Sequence, residues 1–199
     1  EQIHRRRAEV ALPRFDPAYI QPVEPLRASQ AAADPALLLG NPYGGFSADG
    51  SEYVMTLQPG QPTPAPWVNV LANPQFGSVV SETGGAYTWS SNAHEFRLTP
   101  WHNDPVSDAS GEAFYLRDQD TGHYWSPTPL PRAGSGPYTT RHGFGYSVFE
   151  HEEDGIHSEL WVYVALDAPV KFSVLKLRNH SGRARRLSAR VYRDGQVEI

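Results

Sequence analysis

The chain has 199 residues, 39% of them hydrophobic, which suits one domain with a real core. A net charge of −5 argues against a broad phosphate-binding surface, so no nucleic-acid partner is expected. There is no cysteine, which removes disulfides and thiolate metal sites, and no run of about 18 apolar residues that could span a membrane.

The N-terminal "EQIHRRRAEV" has arginines but no apolar stretch after them, so it does not read as a secretory signal. It also lacks an initiator methionine, and the chain is expected to be cut from a longer protein or to be a processed product. Residues 1–37 carry Pro13, Pro17, Pro22, Pro25 and Pro35. Each proline removes a backbone donor, so an extended arm or linker is expected there. Ser29 could cap a short helix through the alanines, limited by Pro35. Leu37, Leu38 and Leu39 are expected to dock the arm onto the domain.

Residues 38–199 read as β structure. Strand-like runs are "SEYVMTL", "PWVNVLA", "FGSVV", "AYTWSS", "EAFYLRD", "GHYWSP", "YTTRHGFGYSVFEHE", "GIHSELWVYVAL", "VKFSVLKLRN" and "RRLSARVYR". In "HSELWVYVAL", Leu160, Val162, Val164 and Leu166 share one face. Asp154-Gly155 is a favoured two-residue hairpin dipeptide, and "DTG" at 120–122 plays the same part for its neighbours. The 17 glycines and 18 prolines punctuate these runs. About ten antiparallel strands of this kind bury their apolar faces sheet on sheet, so the expected fold is all-β, an antiparallel β-sandwich with a Pro-rich N-terminal arm.

Chemistry-bearing residues are scattered. There is no P-loop, no Gly-x-Ser-x-Gly and no dinucleotide fingerprint, and "NPYGGFSADG" has no helix after it, so it reads as a turn. His151 and His157, six apart across the Asp-Gly turn, could face one another beside Glu150, Glu152 or Glu153; the spacing is loose for a metal, and neither metal nor cofactor is expected. Asp104, Asp108, Glu112, Asp118 and Asp120 offer carboxylates, but loop carboxylates mostly cap turns or face solvent. Asp120 and Gly122 suit a structural turn. The richest stretch is "YTWSSNAHEFRLTPWHNDPVSD". Aromatic rings stack on the apolar C–H faces of sugars, while Asn, Asp and Arg bond to hydroxyls. Trp89, Asn92, Arg97, Trp101 and Asp104 are therefore candidate carbohydrate contacts, with Trp125 in "GHYWSP" as a sixth; each tryptophan could equally be core.

Long stretches in order, "NPYGGFSADGSEYVM", "TPAPWVNVLANPQFGSVVSETGGAYTWSSNAHEFRLTPWHNDPVSD", "GEAFYLRDQDTGHYWSPTPLP", "RHGFGYSVFEHEEDGIHSEL" and "DAPVKFSVLKLRNHSGRARRLSARVY", resemble glycoside hydrolase family 94. The resemblance spans residues 38 to about 193. It is to the N-terminal β-sandwich (supersandwich) domain, most closely as it occurs in cyclic β-1,2-glucan synthases.

The resemblance implies inverting phosphorolysis of β-glucosides, carried by a C-terminal helical barrel that this chain lacks. It implies a non-catalytic sandwich that supports the barrel, dimerises in the phosphorylases and lends loops to the sugar site. The implied ligand is a β-glucan or glucose-containing oligosaccharide. The implied parent sits at the cytoplasmic face of a bacterial inner membrane, with this chain itself soluble. "RDGQVEI" departs from the continuation expected after "RVY", which suggests a fragment boundary or truncated frame. Two other readings stand beside it: a free-standing carbohydrate-binding module, and a small β-sandwich lyase or epimerase using Arg141, His142 and Tyr146. A plain interaction domain is the remaining class.

Overall fold

The longest alternating run sets the architecture. Ile156–Val164 forms strand β11, in which every second residue is buried. Ile156, Leu160, Val162 and Val164 point to the core, while Leu166, expected on the same face, lies past the strand end and is exposed. The structure, a computed structural model, describes residues 37–102 and 111–193. The Pro-rich arm expected at 1–37 falls almost wholly outside these residues.

β11 lies in a seven-stranded antiparallel sheet with β1 (Leu38–Asn41), β2 (Gly44–Phe46), β3 (Glu52–Leu57), β9 (Tyr138–Gly143), β10 (Tyr146–Glu153) and β12 (Lys171–Asn179). The order is β1-β2-β3-β9-β10-β11-β12. Two three-stranded sheets make the facing layer. One is β4 (Val68–Asn73), β5 (Phe76–Ser81) and β6 (Ala86–Ser90). The other runs in the order β13 (Leu187–Arg193), β7 (Glu112–Asp118), β8 (Tyr124–Trp125). The result is the expected all-β sandwich.

Two apolar clusters glue the layers. Leu71, Phe76, Val80 and Ala86 of the small sheet meet Phe149, Leu160, Val162 and Val164 of the large one. Leu116, Trp125 and Ile156 form the second cluster, and Leu175 packs against both. Each such side chain, fully buried, contributes about 1.5–3 kcal/mol. β12 and β13 each end their sheet, and both present mostly exposed residues.

Thirteen strands stand among the described residues, against about ten expected. One surplus arises inside "YTTRHGFGYSVFEHE", where the chain reverses at Phe144-Gly145. Gly145 takes φ 84°, a conformation that costs glycine little, and Phe144 sits on the tip almost fully exposed. The other two are the short β1 and β2. β1 corrects the expected leucine docking: backbone pairing with β2 holds this segment, while Leu38 and Leu39 face solvent.

Asp154 and Gly155 form the expected two-residue turn, both at positive φ (50° and 73°), as a type I′ hairpin requires. Its register overturns the expected meeting of His151 with His157. His151 pairs with Ser158, and Glu152 with His157, so the two imidazoles are one step out of phase and lie on opposite faces. His151 is buried with its ring stacked on Tyr138, centroids 3.8 Å apart. His157 lies near His180 instead.

Two buried ion pairs cross the core. Arg185 binds Asp118 through Nε at 2.7 Å and Nη2 at 2.5 Å, and donates from Nη1 to the Asp154 carbonyl at 2.8 Å. Lys171 Nζ lies 2.7 Å from Glu112 Oε2, while Glu112 Oε1 accepts from Thr88 and Thr99. Burial pushes both carboxyls up. For Glu112 the Lys171 charge and the bonds from Lys171, Thr88 and Thr99 outweigh it. For Asp118 the Asp120 N–H and Arg185 do the same, so both end below their ordinary values.

The unfolded chain therefore binds these two protons more tightly than the folded chain. Their stabilisation is complete above the ordinary carboxylate range and is lost as pH falls through and below it. Lys171 is also lowered, chiefly by burial, and a lowered pKa there gives a slope of the same sign, stability rising with pH as the ammonium gives up its proton. Melting followed by circular dichroism should show a midpoint that holds down to pH about 5 and falls below about 4. A flat profile to pH about 3 would refute the assignment of these pairs as stabilising ionic links.

Candidate functional site

Alternation along β6 separates two roles. Ala86 and Thr88 point inward, and Thr88 joins the Glu112 and Lys171 network. Tyr87 and Trp89 point outward, both half-buried. Trp89 pairs with Gly77 on β5, where a Cβ would lie 2.2 Å from Trp89 Cζ2. Only glycine lets the indole lie flat against β5.

Tyr87 is the middle of an aromatic row. Its ring centroid is 5.5 Å from Trp89 and 5.0 Å from Trp101. Arg97 returns to the sheet through an isolated bridge with Trp89, and its guanidinium carbon stands 5.9 Å from the Tyr87 ring centroid. Arg97 Nε donates to the Ala93 carbonyl at 2.9 Å, which fixes the side chain's direction. Across the strands from Tyr87 lie Val79 and the exposed Val70, extending the apolar strip. The surface therefore combines half-exposed rings with one oriented cation. Such a surface can stack on apolar ring faces and donate to hydroxyls at its rim.

Three of the six residues expected from sequence thus converge: Trp89, Arg97 and Trp101. Asn92 is nearby but acts on its own loop, its Oδ1 accepting the N–H groups of His94 and Glu95 at 2.7 and 3.1 Å. Asp104 lies outside the described residues. Trp125 is fully buried in the second core cluster, with no ring face open to a ligand in this chain. Two residues of the row were missed, Tyr87 and Gly77. Tyr87 shares the period-two parity of Trp89, which was a readable signal; Gly77 needed the strand register.

The other candidates separate. Arg141 and Tyr146 meet on the outer face of the large sheet, where both bond to Glu52. His142 faces inward, bonded to Ser147 Oγ at 2.9 Å and the Trp67 carbonyl at 3.1 Å, and burial lowers its pKa to about 4. The three do not form one catalytic group. Glu112 and Asp118 are held in the buried pairs described above. Asp120 sits in the turn after β7, its N–H donated to Asp118 Oδ1, with Arg186 on its carboxylate and Gly122 at φ 75°.

Comparison with known proteins agrees with this architecture. Residues 51–194 match the family model described as glycosyl hydrolase 94, supersandwich domain. Over 153 residues the chain is 44% identical to the cyclic β-(1,2)-glucan synthase NdvB of Rhizobium meliloti (strain 1021), covering 76% of this chain and 5% of that protein. It is 35% identical over 150 residues to the N,N'-diacetylchitobiose phosphorylase of Vibrio proteolyticus, covering 74% and 18%. It is 34% identical over 151 residues to the solabiose phosphorylase of Paenibacillus borealis, covering 73% and 19%. The chain therefore spans less than a fifth of the length of each of these relatives. With the match covering most of the two-layered region, the chain belongs to glycosyl hydrolase family 94, of which it carries the supersandwich domain.

Proposed function

We propose that this chain is a non-catalytic part of a glucan-processing protein, and that its Tyr87, Trp89, Trp101 and Arg97 surface contacts a β-glucan or glucose-containing oligosaccharide. The observation that carries this reading is the ring row itself, held open on the outer face of β6 while the same strand's inner face is tied to Glu112 and Lys171. The names of the relatives, a β-(1,2)-glucan synthase and disaccharide phosphorylases, support a β-linked sugar as ligand. In this reading the bond-making chemistry belongs to a helical barrel elsewhere in the parent, which works at the cytoplasmic face of a membrane. Among the described residues no helix is long and apolar enough to cross a bilayer.

Affinity electrophoresis of the chain in gels containing β-1,2-glucan tests the surface. Retardation is expected, and Trp101→Ala should weaken binding about tenfold, equivalent to ~1.4 kcal/mol. Gly77→Ala, which must displace the Trp89 indole, should act in the same direction. Melting midpoints show whether each variant remains folded. Unretarded wild-type chain, or equal retardation of a folded Trp101→Ala variant, removes the row from sugar contact. The second reading, a docking face for the rest of the parent or for a second copy, is favoured by the exposed Val68 and Val70 on the same small sheet. It predicts concentration-dependent self-association in place of glucan binding.

A further inference from the structure

The rings on the outer face of β6 are held at angles that bear on which sugar chain they can follow. The planes of Trp89 and Tyr87 are 36° apart, and those of Tyr87 and Trp101 are 43° apart. Neighbouring rings are therefore neither coplanar nor parallel. The backbone sets the tilt. Trp89 is laid over Gly77, where there is no Cβ to lift it, and Tyr87 is held opposite Val79 by the strand register. Trp101 belongs to the returning segment beyond Arg97, not to β6. Centroid spacings of 5.5 and 5.0 Å are close to the length of one pyranose unit, so consecutive rings can meet consecutive sugars.

A second observation concerns Arg97. Its guanidinium carbon stands over the Tyr87 ring, 5.9 Å from the centroid, and its Nε bond to the Ala93 carbonyl aims it there. The middle of the row thus carries a charged group over a ring face. Linkage decides how a glucan meets such a surface. In a β-1,4-linked chain the two glycosidic bonds leave each sugar from opposite ends, and the chain extends as a flat ribbon. In a β-1,2-linked chain they leave from adjacent carbons, so the chain turns at every residue and successive sugar faces point in different directions. A flat ribbon cannot lie on all the tilted rings at once, and it must also displace the guanidinium at the centre. A turning chain can present a face to each ring in succession and let its hydroxyls accept from Arg97.

We propose that the row selects by linkage, taking β-glucan chains that turn at every residue, of the β-1,2 type, and rejecting flat β-1,4 ribbons. The inference rests on the reading of this surface as a sugar contact and adds the basis of its selectivity. Gly77 and Tyr87 set the angles that a turning chain matches, and Arg97 is the group that excludes the ribbon. Because the rings are already held in place, a matching chain binds without ordering them.

The test is affinity electrophoresis of the full chain in parallel gels, one with linear β-1,2-glucan and one with hydroxyethylcellulose, a soluble β-1,4-glucan. Affinity in the first should exceed that in the second by about tenfold. The chain should also stay in the supernatant when mixed with microcrystalline cellulose. Arg97→Ala, at an exposed position, should keep its melting midpoint and narrow the preference severalfold, because the ribbon loses its obstacle. Tyr87→Ala divides the row and should remove most of the retardation by β-1,2-glucan. Equal retardation in the two gels, or stronger retardation by hydroxyethylcellulose, overturns the linkage inference and leaves the sugar reading standing. No retardation in either gel overturns both. A preference undiminished in folded Arg97→Ala and Tyr87→Ala variants puts the selectivity elsewhere and likewise overturns the proposal.

Discussion

Trp125→Ala should destabilise the chain by about 3–5 kcal/mol, the range for removing a fully buried large aromatic side chain. Trp125 is completely enclosed among Leu116 and Ile156, with Leu175 and Leu187 against the cluster and the His123 ring stacked at 5.5 Å. It is also one of only two residues in β8, paired with Leu116. The substitution therefore opens a cavity between the layers and loosens the strand that closes the β7–β8 hairpin. Domains of this size are stable by about 5–15 kcal/mol, so the loss is a large fraction of the total. Urea unfolding measures it directly. Trp125→Phe retains most ring contacts and should lose less than half as much. A Trp125→Ala variant within about 1 kcal/mol of wild type would mean that this cluster does not hold the layers together.

Arg185→Met should cost a similar amount, about 3–5 kcal/mol, for an electrostatic reason. Arg185 and Asp118 are both essentially without solvent contact. Removing the guanidinium leaves a buried carboxylate facing only the N–H groups of Asp120 and Thr121. It also strips the Asp154 carbonyl of its partner. Asp118→Asn in the same chain keeps the acceptor for the turn and removes the stranded charge, so the double variant should recover at least half of the loss. The single variant's deficit should also narrow below the ordinary aspartate range, where Asp118 can take up a proton. A double variant no more stable than Arg185→Met would show that the geometry of the three-way contact, and not the isolated charge, sets the cost.

Much of the architecture was readable because alternation and turn chemistry agreed. The run from Ile156 to Val164 gave its face by parity, and Asp154-Gly155 specified a type I′ reversal. Phe144-Gly145 escaped notice because a large apolar residue at the tip disguised the reversal as continuous strand. The His151 and His157 pairing failed by one register step, which counting along the chain does not supply unless the partner residue is fixed first. At the candidate site, aromatic composition found Trp89 and Trp101, yet the same reasoning picked out Trp125. β8 is two residues long, too short for period two to say which side is inward. Asn92 illustrates another limit: an amide can serve its own loop as readily as a ligand, and only the bonds it makes distinguish the two.

The terminal strands of the two layers carry a consequence of their own. β12 and β13 follow one another in the chain, and among the described residues each is paired with a strand on one side alone. The side of each that no described strand pairs with presents a backbone ledge, lined by half-open Phe172, Val174, Val191 and Tyr192. Further strands can be laid along either ledge without touching Leu160, Trp125 or any other member of the two clusters. Growth along β12 would bear on the ring row at one point, because Lys171 at the start of that strand bonds Thr88 on the inner face of β6.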